Sequence, residues 1–310
     1  MLALRPSSRD DVDDVLRVLA AREARDFGVA DFIRGFLLER WREQRFDPET
    51  DGVVALDGDV VVGYAALFEH GALAFVHPGC ERQGVGSRLR EWAEAIAVER
   101  RRSHHRQVIA HGNAGGHALL TAAGYQQVRS VIQMAKSTQA AAPAPPPPAG
   151  ISLAALDLPA DARPLHLADT ASFAGNADYQ PSSFESFELE HLQSPYLDHE
   201  LSRVARRGRA IAGFTLCRRT PEGSGYVDLL AVDPSERGRG LGSSLLLTAF
   251  EAFARAGLRD ACLDVASDNP RGLRLYHRAG MSERLRVDVY EKPVNFIGNG
   301  TRAARLFAGR

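Results

Sequence analysis

The feature that most constrains this chain is an internal repeat with a constant offset. Five pairs of identical residues are each separated by 156 positions and span one gap-free window: Pro78/Pro234, Gly84/Gly240, Gly86/Gly242, Asn113/Asn269 and Gly124/Gly280. Self-similarity at a fixed offset is the signature of repeated structural units. The sequence therefore predicts two copies of one domain. Gly63 and Gly213 are separated by 150 positions, which places a six-residue insertion in the second copy.

A proline-rich segment separates the two copies. Residues 137–150 read STQAAAPAPPPPAG, and consecutive prolines favour the extended polyproline II conformation of a semi-rigid spacer. A chain of 310 residues is also long enough for two domains. We predict an N-terminal domain at 1–136, a linker at 137–150, a C-terminal domain at 151–294 and a tail at 295–310.

Composition and charge exclude several classes of protein. The net charge of −1 argues against a protein that coats nucleic acid or an anionic membrane. An odd count of three cysteines without metal-ligand spacing favours a reducing compartment over a disulfide framework. The first residues turn polar too soon for a signal peptide, and no apolar run is as long as a membrane span. We expect a cytoplasmic protein with no nucleic-acid partner, no membrane and no metal.

Both halves have the same predicted order of elements. Each begins with a strand, continues with helical stretches and a β-hairpin, and then alternates strand, helix, strand, helix and strand. Asp57-Gly58 marks the first hairpin turn. Apolar spacing predicts these helices: 10–26, 85–102, 114–123, 165–173, 183–192, 241–256 and 271–279.

A glycine-rich turn follows an apolar strand in each half, and the second copy is the more complete. The run Arg237-Gly238-Arg239-Gly240-Leu241-Gly242 sets several backbone N–H groups at the start of a helix. Such a helix start binds anions because its donors are unpaired and its dipole is positive. The turn lacks the Gly-Lys-Ser/Thr ending of a Walker loop, and it follows a hairpin rather than opening a βαβ unit.

The motif VDPSERGRGLG resembles the pyrophosphate-binding motif of the GCN5-related N-acetyltransferases, the GNAT superfamily. The family pattern Arg/Gln-x-x-Gly-x-Gly/Ala is matched by Arg237, Gly240 and Gly242. Downstream, Asn269, Tyr276 and Gly280 match a second family segment. The resemblance covers most of both halves and extends to the tandem two-domain acetyltransferases, the mycothiol synthases among them. It implies an α+β fold of two tandem domains, each a mostly antiparallel mixed sheet that is splayed at the acetyl-CoA site and flanked by helices.

The resemblance implies that acetyl-CoA binds to the second copy. Its pyrophosphate would lie on the glycine turn, and its pantetheine arm between the splayed strands LLAV and LDVA. The implied cofactor-binding positions are Leu230, Ala231, Val232, Arg237, Gly238, Arg239, Gly240, Leu241, Gly242, Ser243, Asn269 and Tyr276.

Direct transfer to an amine needs a group that accepts the ammonium proton and one that protonates the leaving thiolate. By resemblance, Tyr276 is the acid. The family's usual glutamate base falls on Tyr226, which departs from the pattern. Asp228 lies two positions further along the same strand, and strand alternation puts it on the same face. We expect Asp228 to act as base, directly or through water.

The first copy departs from the pattern at two positions. Tyr276 corresponds to Leu120, which cannot donate a proton, and Arg237 corresponds to Glu81. We therefore expect the first domain to be catalytically degenerate. His70 falls where its base would be. The positions retained for a second acetyl-CoA site are Val76, Arg82, Gln83, Gly84, Val85 and Gly86.

The acceptor is expected to be the primary amine of a small molecule. Phe173, Tyr179, Glu185 and Tyr226 are the candidate acceptor-binding residues, and the first three lie where the family places its acceptor loop. Two alternatives stay open: a non-catalytic CoA-binding or scaffold protein, and a mycothiol synthase proper. The chain is expected to be a monomer or a homodimer.

Overall fold

The structure, a computed structural model, describes residues 2–28, 34–42, 46–68, 71–140, 143–175, 179, 181–220 and 223–294. His70 and the predicted tail at 295–310 lie outside these residues. The helices are α1 (Val12–Phe27), α2 (Arg34–Arg42), α3 (Pro48–Asp51), α4 (Val85–Glu99), α5 (Ala114–Ala122), α6 (Ala162–Phe173), α7 (Phe184–Phe187), α8 (Leu241–Arg255) and α9 (Pro270–Arg278). The strands are β1 (Leu2–Pro6), β2 (Gly52–Asp57), β3 (Val60–Phe68), β4 (Gly71–Val76), β5 (His104–Ala110), β6 (Gln126–Ser137), β7 (Ser152–Ala155), β8 (Arg203–Arg207), β9 (Ala210–Arg219), β10 (Gly225–Val232), β11 (Asp260–Ala266) and β12 (Ser282–Pro293).

The chain forms two compact units. Unit 1 comprises Met1–Val131 and Leu285–Arg310, and unit 2 comprises Ile132–Arg284. Each unit is thus completed by a strand from the other half of the repeat: β12 from Leu285 onward in unit 1, and β6 from Ile132 onward in unit 2. The compact units therefore do not coincide with the two halves of the repeat. The boundaries differ because the closing strand of each half, β6 or β12, contributes residues to the unit formed mainly by the other half.

The sheet of unit 1 has the strand order β1-β2-β3-β4-β5-β12. Neighbouring strands are antiparallel except β4 and β5, which run parallel. On one face, Trp92 and Leu89 of α4 pack against β2 and β3. On the other face, Trp41 of α2 packs with Tyr64 and Phe75. Its indole N–H donates to the Tyr64 hydroxyl at 2.9 Å.

The sheet of unit 2 has the corresponding order β6-β11-β10-β9-β8-β7. Strands β7 to β10 pair antiparallel, whereas β10 and β11 run parallel. Phe250 and Phe253 of α8 fill the core on one face, and Leu165 of α6 and Phe187 of α7 fill it on the other. The predicted α+β class, with two mixed and mostly antiparallel sheets flanked by helices, is confirmed.

The two parallel strand pairs separate soon after they begin. The register of β10 with β11 contains only Gly225↔Ala261 and Tyr226↔Cys262. That of β4 with β5 contains only Ala72↔Gln107. Each sheet is therefore splayed at the strand that leads into a glycine turn, as predicted.

Most predicted helices begin within three residues of their predicted positions. The prediction for 183–192 is met by two short elements, α7 and a wider helical turn at Glu188–Leu192. Among the described residues, no helix has both the length and the apolar character needed to cross a membrane.

Candidate active site

The glycine turn of unit 2 has the backbone that glycine permits. Gly238 and Gly240 have φ values of +77° and +90°, in the left-handed region that other residues avoid. Gly240 is also the N-cap residue of α8. A Cβ at either glycine would meet no atom of the described residues within 4 Å. The requirement for glycine is therefore conformational, and the side of the turn where a Cβ would project is open.

The N-terminus of α8 is uncapped, in contrast to that of α9. No side chain of the described residues caps the N-terminus of α8. At α9 the Asn269 side chain accepts from the Gly272 N–H at 2.9 Å. The first-turn N–H groups of α8 belong to Leu241, Gly242 and Ser243, and they have no partner within their own helix. An external anion is the natural acceptor for them. Asn269 itself serves its own helix as the N-cap.

The two arginines of the turn have different surroundings. Arg237 donates from Nε to the Val232 carbonyl at 3.1 Å and from Nη2 to the Ser172 carbonyl at the end of α6. Burial, with the neighbouring charge of Arg271, lowers the pKa of its guanidinium. The Arg239 side chain is 60% exposed and lies 3.4 Å from a Glu236 carboxylate oxygen. Arg237 thus holds the turn against α6, and Arg239 is accessible to an anion.

Strand β10 lies directly upstream of the turn. Ala231 is buried with the α6 and α7 cluster, and Leu230 and Val232 are half-buried on the α8 face. Their backbone faces β11 where the two strands no longer pair. An extended acyl arm can hydrogen-bond in that gap as a further strand would.

Tyr276 projects from α9 into the core cluster of α8 and β11, with 9% of its surface exposed. Burial raises the pKa of its phenol to about 12. The phenol therefore keeps its proton at neutral pH, which is the state that a proton donor to a thiolate requires.

Asp228 lies at a β-bulge, because the register of β10 with β9 shifts between Val227 and Leu229. Its Oδ2 accepts from His191 Nδ1 at 3.0 Å and from Arg218 Nη2 at 2.9 Å. Burial opposes ionisation of this carboxyl, but the His191 hydrogen bond and the Arg218 charge outweigh it and lower its pKa. Asp228 is thus a carboxylate paired with Arg218. This pairing favours a role as a fixed negative charge, whereas the sequence analysis predicts that Asp228 acts as the base.

Tyr226 has a neighbour that the sequence analysis missed. Its hydroxyl interacts with the carboxylate of Asp264 on β11, and burial raises the phenol pKa well above its usual range. Gln133 Nε2 of β6 donates to Asp264 Oδ1 at 3.4 Å. Asp264 is solvent-exposed, but the protein packed around it desolvates the carboxyl group and so raises its pKa. The available signal was one acidic residue inside the apolar strand ACLDVA.

The three other predicted acceptor residues do not form one cluster. The ring of Phe173 lies 5.8 Å from that of Tyr179, and Phe173 also packs against the core. The Tyr179 hydroxyl donates to Asp169 Oδ2 at 2.9 Å, and burial raises the pKa of that carboxyl. Glu185 is exposed in the first turn of α7.

Unit 1 contains the same turn with other side chains. Arg82 has a φ of +58° where unit 2 has Gly238, and Gly84 is the N-cap residue of α4 with a φ of +83°. Arg82, Gln83 and Gly84 are exposed. The remaining retained positions follow the same order, with Val76 ending β4 and Val85 and Gly86 opening α4. Glu81 turns away from the helix start, and its carboxylate accepts from Arg22 Nη1 at 2.5 Å.

The Leu120 side chain is buried beneath α5 with Tyr125 and Tyr290. The position of Tyr276 is therefore filled by an apolar group in unit 1. Among the described residues, no group of three or more His, Cys, Asp or Glu side chains is arranged to hold a metal ion.

The fold and the two turns match a known family. The profile of the family described as "Acetyltransferase (GNAT) family" matches residues 17–125 and 167–281, once in each half of the chain. The chain therefore belongs to the GNAT family as a tandem protein, and it is an N-acetyltransferase.

Relatives of similar length match along both halves. The mycothiol acetyltransferase of Actinosynnema mirum is 29% identical over 292 residues, which cover 90% of this chain and 95% of that protein. That of Thermomonospora curvata is 30% identical over 250 residues, covering 78% of this chain and 82% of that protein.

Solved structures match at the level of the whole fold. A GCN5-related N-acetyltransferase from Sphaerobacter thermophilus is 25% identical with a TM-score of 0.83, and the match covers 95% of this chain and 96% of that one. A tandem GNAT protein from the clavulanic acid biosynthesis pathway is 20% identical with a TM-score of 0.73, covering 95% and 99%. This second likeness concerns the fold alone.

Proposed function

We propose that the protein transfers an acetyl group from acetyl-CoA directly to the primary amine of a small molecule, with its active site in unit 2. The N-terminus of α8, which has no side-chain cap and lies next to the gap between β10 and β11, supports an acetyl-CoA site. Because α4 of unit 1 also lacks a side-chain cap, the observation that carries the choice of unit 2 is Tyr276. Unit 2 keeps the protonated phenol of Tyr276, which unit 1 replaces with Leu120.

The turn and the strands fit acetyl-CoA in two respects. The N–H groups of Leu241, Gly242 and Ser243 would hold its pyrophosphate, with Arg239 adding an exposed positive charge. The edge of β10 at Leu230–Val232 would bind the pantetheine arm. Acetyl-CoA supplies a thioester, an activated acyl group. Tyr276 would protonate the sulfur as the thiol leaves.

The mycothiol acetyltransferase relatives support a narrower proposal for the acceptor. Identity near 29% along almost the whole of both chains favours the amine precursor of mycothiol, a cysteinyl amino-sugar inositol, as the first compound to test. The replacement of the family's glutamate by Tyr226 distinguishes this chain from the family pattern.

The test is an acetyltransferase assay on the purified full chain. Acetyl-CoA is offered with a panel of primary amines that includes the mycothiol precursor, and release of the CoA thiol is followed. We expect turnover with at least one small-molecule amine. Binding of acetyl-CoA without turnover on any amine would instead favour the scaffold hypothesis for this chain. Turnover with simple amino sugars but not with the mycothiol precursor would contradict the narrower proposal only.

A further inference from the structure

We propose that Asp264, and not Asp228, accepts the proton of the acceptor's ammonium group. The inference rests on the function proposed above and deepens it by naming the base of that same site. Three observations carry it: the face of the sheet on which Asp264 lies, the partners already bound to each carboxylate, and the position of Asp264 along the gap between β10 and β11.

Strand alternation places Asp264 with Tyr226 and Gln133 on one face of unit 2. Val227, Leu263 and Val265 belong to the core cluster on the α8 face. Tyr226 and Asp264, their neighbours in sequence, therefore project from the other face. On β6, Ile132 and Met134 belong to the α8 cluster, so Gln133 projects with them.

Asp264 lies where the two strands have already separated. The last residue pair between β10 and β11 is Tyr226↔Cys262, and Asp264 is two residues further along β11. Tyr276 approaches the sheet from the α8 face, and Asp264 lies on the opposite face. A thioester held between the strands would thus have its proton donor on one side and a carboxylate on the other. The amine can then attack from the side opposite to the α9 phenol.

The two carboxylates differ in their partners. Asp228 accepts hydrogen bonds from His191 and from the Arg218 guanidinium, and these partners favour its ionised form. Asp264 accepts a hydrogen bond from Gln133 and interacts with the Tyr226 hydroxyl, and both of these groups are neutral. Paired titratable groups whose environments push their pKa values apart are the pattern expected of acid–base assignments. Asp264 is the member with the raised pKa, as suits a group that takes a proton and returns it.

The charged groups near Asp264 are few among the described residues. Asp228 on β10 is the like charge that helps to raise its pKa, and Tyr226 and Gln133 lower it by hydrogen bonding. On the same face, Arg284 of β12 lies 3.8 Å from Cys262 Sγ. A protonated acceptor amine would bring a positive charge to a face where Asp228 is already paired with Arg218, whereas Asp264 has the neutral partner Gln133.

The proton balance of the step closes without a further reactant. The ammonium group gives one proton to the Asp264 carboxylate and attacks the acyl carbon through its freed lone pair. The C–N bond forms and the C–S bond breaks, and the sulfur receives its proton from Tyr276. The nitrogen loses its second proton to solvent, and a proton from solvent restores the phenol. Asp264 then releases the first proton to solvent.

The sign of the pH dependence follows from the raised pKa. Below that pKa the carboxyl is protonated and cannot accept, so kcat/KM falls as pH decreases through it. Because the folded-state pKa is above the unfolded value, ionisation of Asp264 disfavours the folded state, and stability decreases as pH rises through the same window. Asp264→Asn removes both effects.

The experiment compares Asp264→Asn with Asp260→Asn, an aspartate at the start of the same strand. With an amine that the wild type acetylates, we expect Asp264→Asn to lower kcat/KM by about 10²- to 10⁴-fold and to abolish the acid limb of its pH profile. Acetyl-CoA affinity by calorimetry should stay the same, and Asp260→Asn should keep wild-type turnover. Asp264→Glu should recover part of the activity.

A second readout does not depend on turnover. We expect the Asp264 carboxyl carbon, assigned in 13C NMR by its loss in Asp264→Asn, to titrate above the usual aspartate range. The melting temperature of Asp264→Asn at neutral pH should equal or exceed that of the wild type. An ordinary titration midpoint, or loss of the acid limb in Asp228→Asn instead, would overturn the proposal. Failure of the wild type to acetylate any amine would overturn the proposed function, while the titration would still test Asp264.

Discussion

In unit 1 the turn before α4 holds Arg82 at a φ of +58°, and in unit 2 the corresponding position before α8 is Gly238 at +77°. The N-cap glycines that follow have φ values of +83° and +90°. The two turns have thus kept one backbone while their side chains diverged. A left-handed arginine is unfavourable by about 1 to 2 kcal/mol. The shape of the turn in unit 1 is therefore imposed by the surrounding fold.

The hydrogen bond that joins each turn to the first long helix of its unit also uses different side chains in the two units. In unit 2 the turn residue Arg237 donates to the Ser172 carbonyl of α6. In unit 1 the turn residue Glu81 accepts from Arg22 of α1. Arg22 and Ser172 are separated by 150 positions, the offset of the hairpin glycines. The turn and the first long helix are thus joined at equivalent positions in both units, but the donor lies on the turn in unit 2 and on the helix in unit 1. Glu81 therefore has a structural partner that the sequence did not reveal.

The largest expected effect tests which unit is catalytic. Tyr276→Phe removes the phenol that would protonate the thiolate, and we expect kcat to fall by about 10²- to 10⁴-fold with acetyl-CoA binding retained. Tyr290→Phe in unit 1 removes a hydroxyl that lies 2.8 Å from His117 Nδ1, and it is the matched control. Steady-state kinetics and calorimetry measure both. A larger loss in Tyr290→Phe would reverse the assignment of the two units.

The second test compares the N-cap glycines. Gly84→Ala and Gly240→Ala each force a residue with a Cβ into the left-handed region, so both should lower stability by about 1 to 2 kcal/mol. Only Gly240→Ala should also raise the KM for acetyl-CoA, by about tenfold if 1.4 kcal/mol of binding is lost. Thermal unfolding and kinetics separate the two effects. An equal rise in KM for Gly84→Ala would mean that turnover depends on the turn of unit 1.

The third test relieves the strained position. Arg82→Gly should stabilise the protein by up to about 1 kcal/mol, because glycine adopts a positive φ without steric cost. The greater conformational entropy of glycine in the unfolded chain offsets part of this gain. A shift of that size raises the melting temperature by a few degrees. Gly238→Arg, the reverse exchange in unit 2, should lower it. A lower melting temperature for Arg82→Gly would show that the arginine side chain stabilises the turn.

The smallest effect concerns the ion pair of unit 1. The hydrogen bond from Arg22 and its charge outweigh desolvation and lower the pKa of Glu81. The pair therefore stabilises the fold above the unfolded pKa of Glu81 and loses this contribution as pH falls through the folded value. Because 43% of the Glu81 side chain is exposed, Glu81→Gln should cost no more than about 0.5 kcal/mol at neutral pH. The difference in melting temperature should vanish in acid, and a difference that persists there would exclude the charge as its cause.

Much of the fold was predictable because local rules set it. The glycine caps of α4 and α8, the Asn113 and Asn269 caps of α5 and α9, and the periodic apolar faces all follow from residues within a few positions of one another. The constant offset added the long-range expectation that both halves fold alike. The site was predictable where it coincides with a local motif, as at the turn. The roles of individual residues in binding and catalysis stay predictions.

The partners of the carboxylates were not predictable. Strand alternation predicted the face of the sheet on which Asp228 lies. It did not predict the bulge at that position or the partners His191 and Arg218. Asp264 carried no motif, since its significance comes from Tyr226 on β10 and Gln133 on β6. These three residues are brought together by strand pairing across more than 130 positions of the chain.

By itself, the sequence determined that the chain contains two copies of one unit, the order of their elements, and the turn at which each sheet gives way to a helix. Tertiary structure alone decided that β12 completes unit 1 and β6 completes unit 2. It also decided which of two neighbouring carboxylates pairs with Arg218 and has a lowered pKa, and which has a raised pKa. The physical reason is that helix caps and turn conformations depend on nearby residues. Strand partners and pKa values depend instead on groups that only the folded chain brings within a few ångströms.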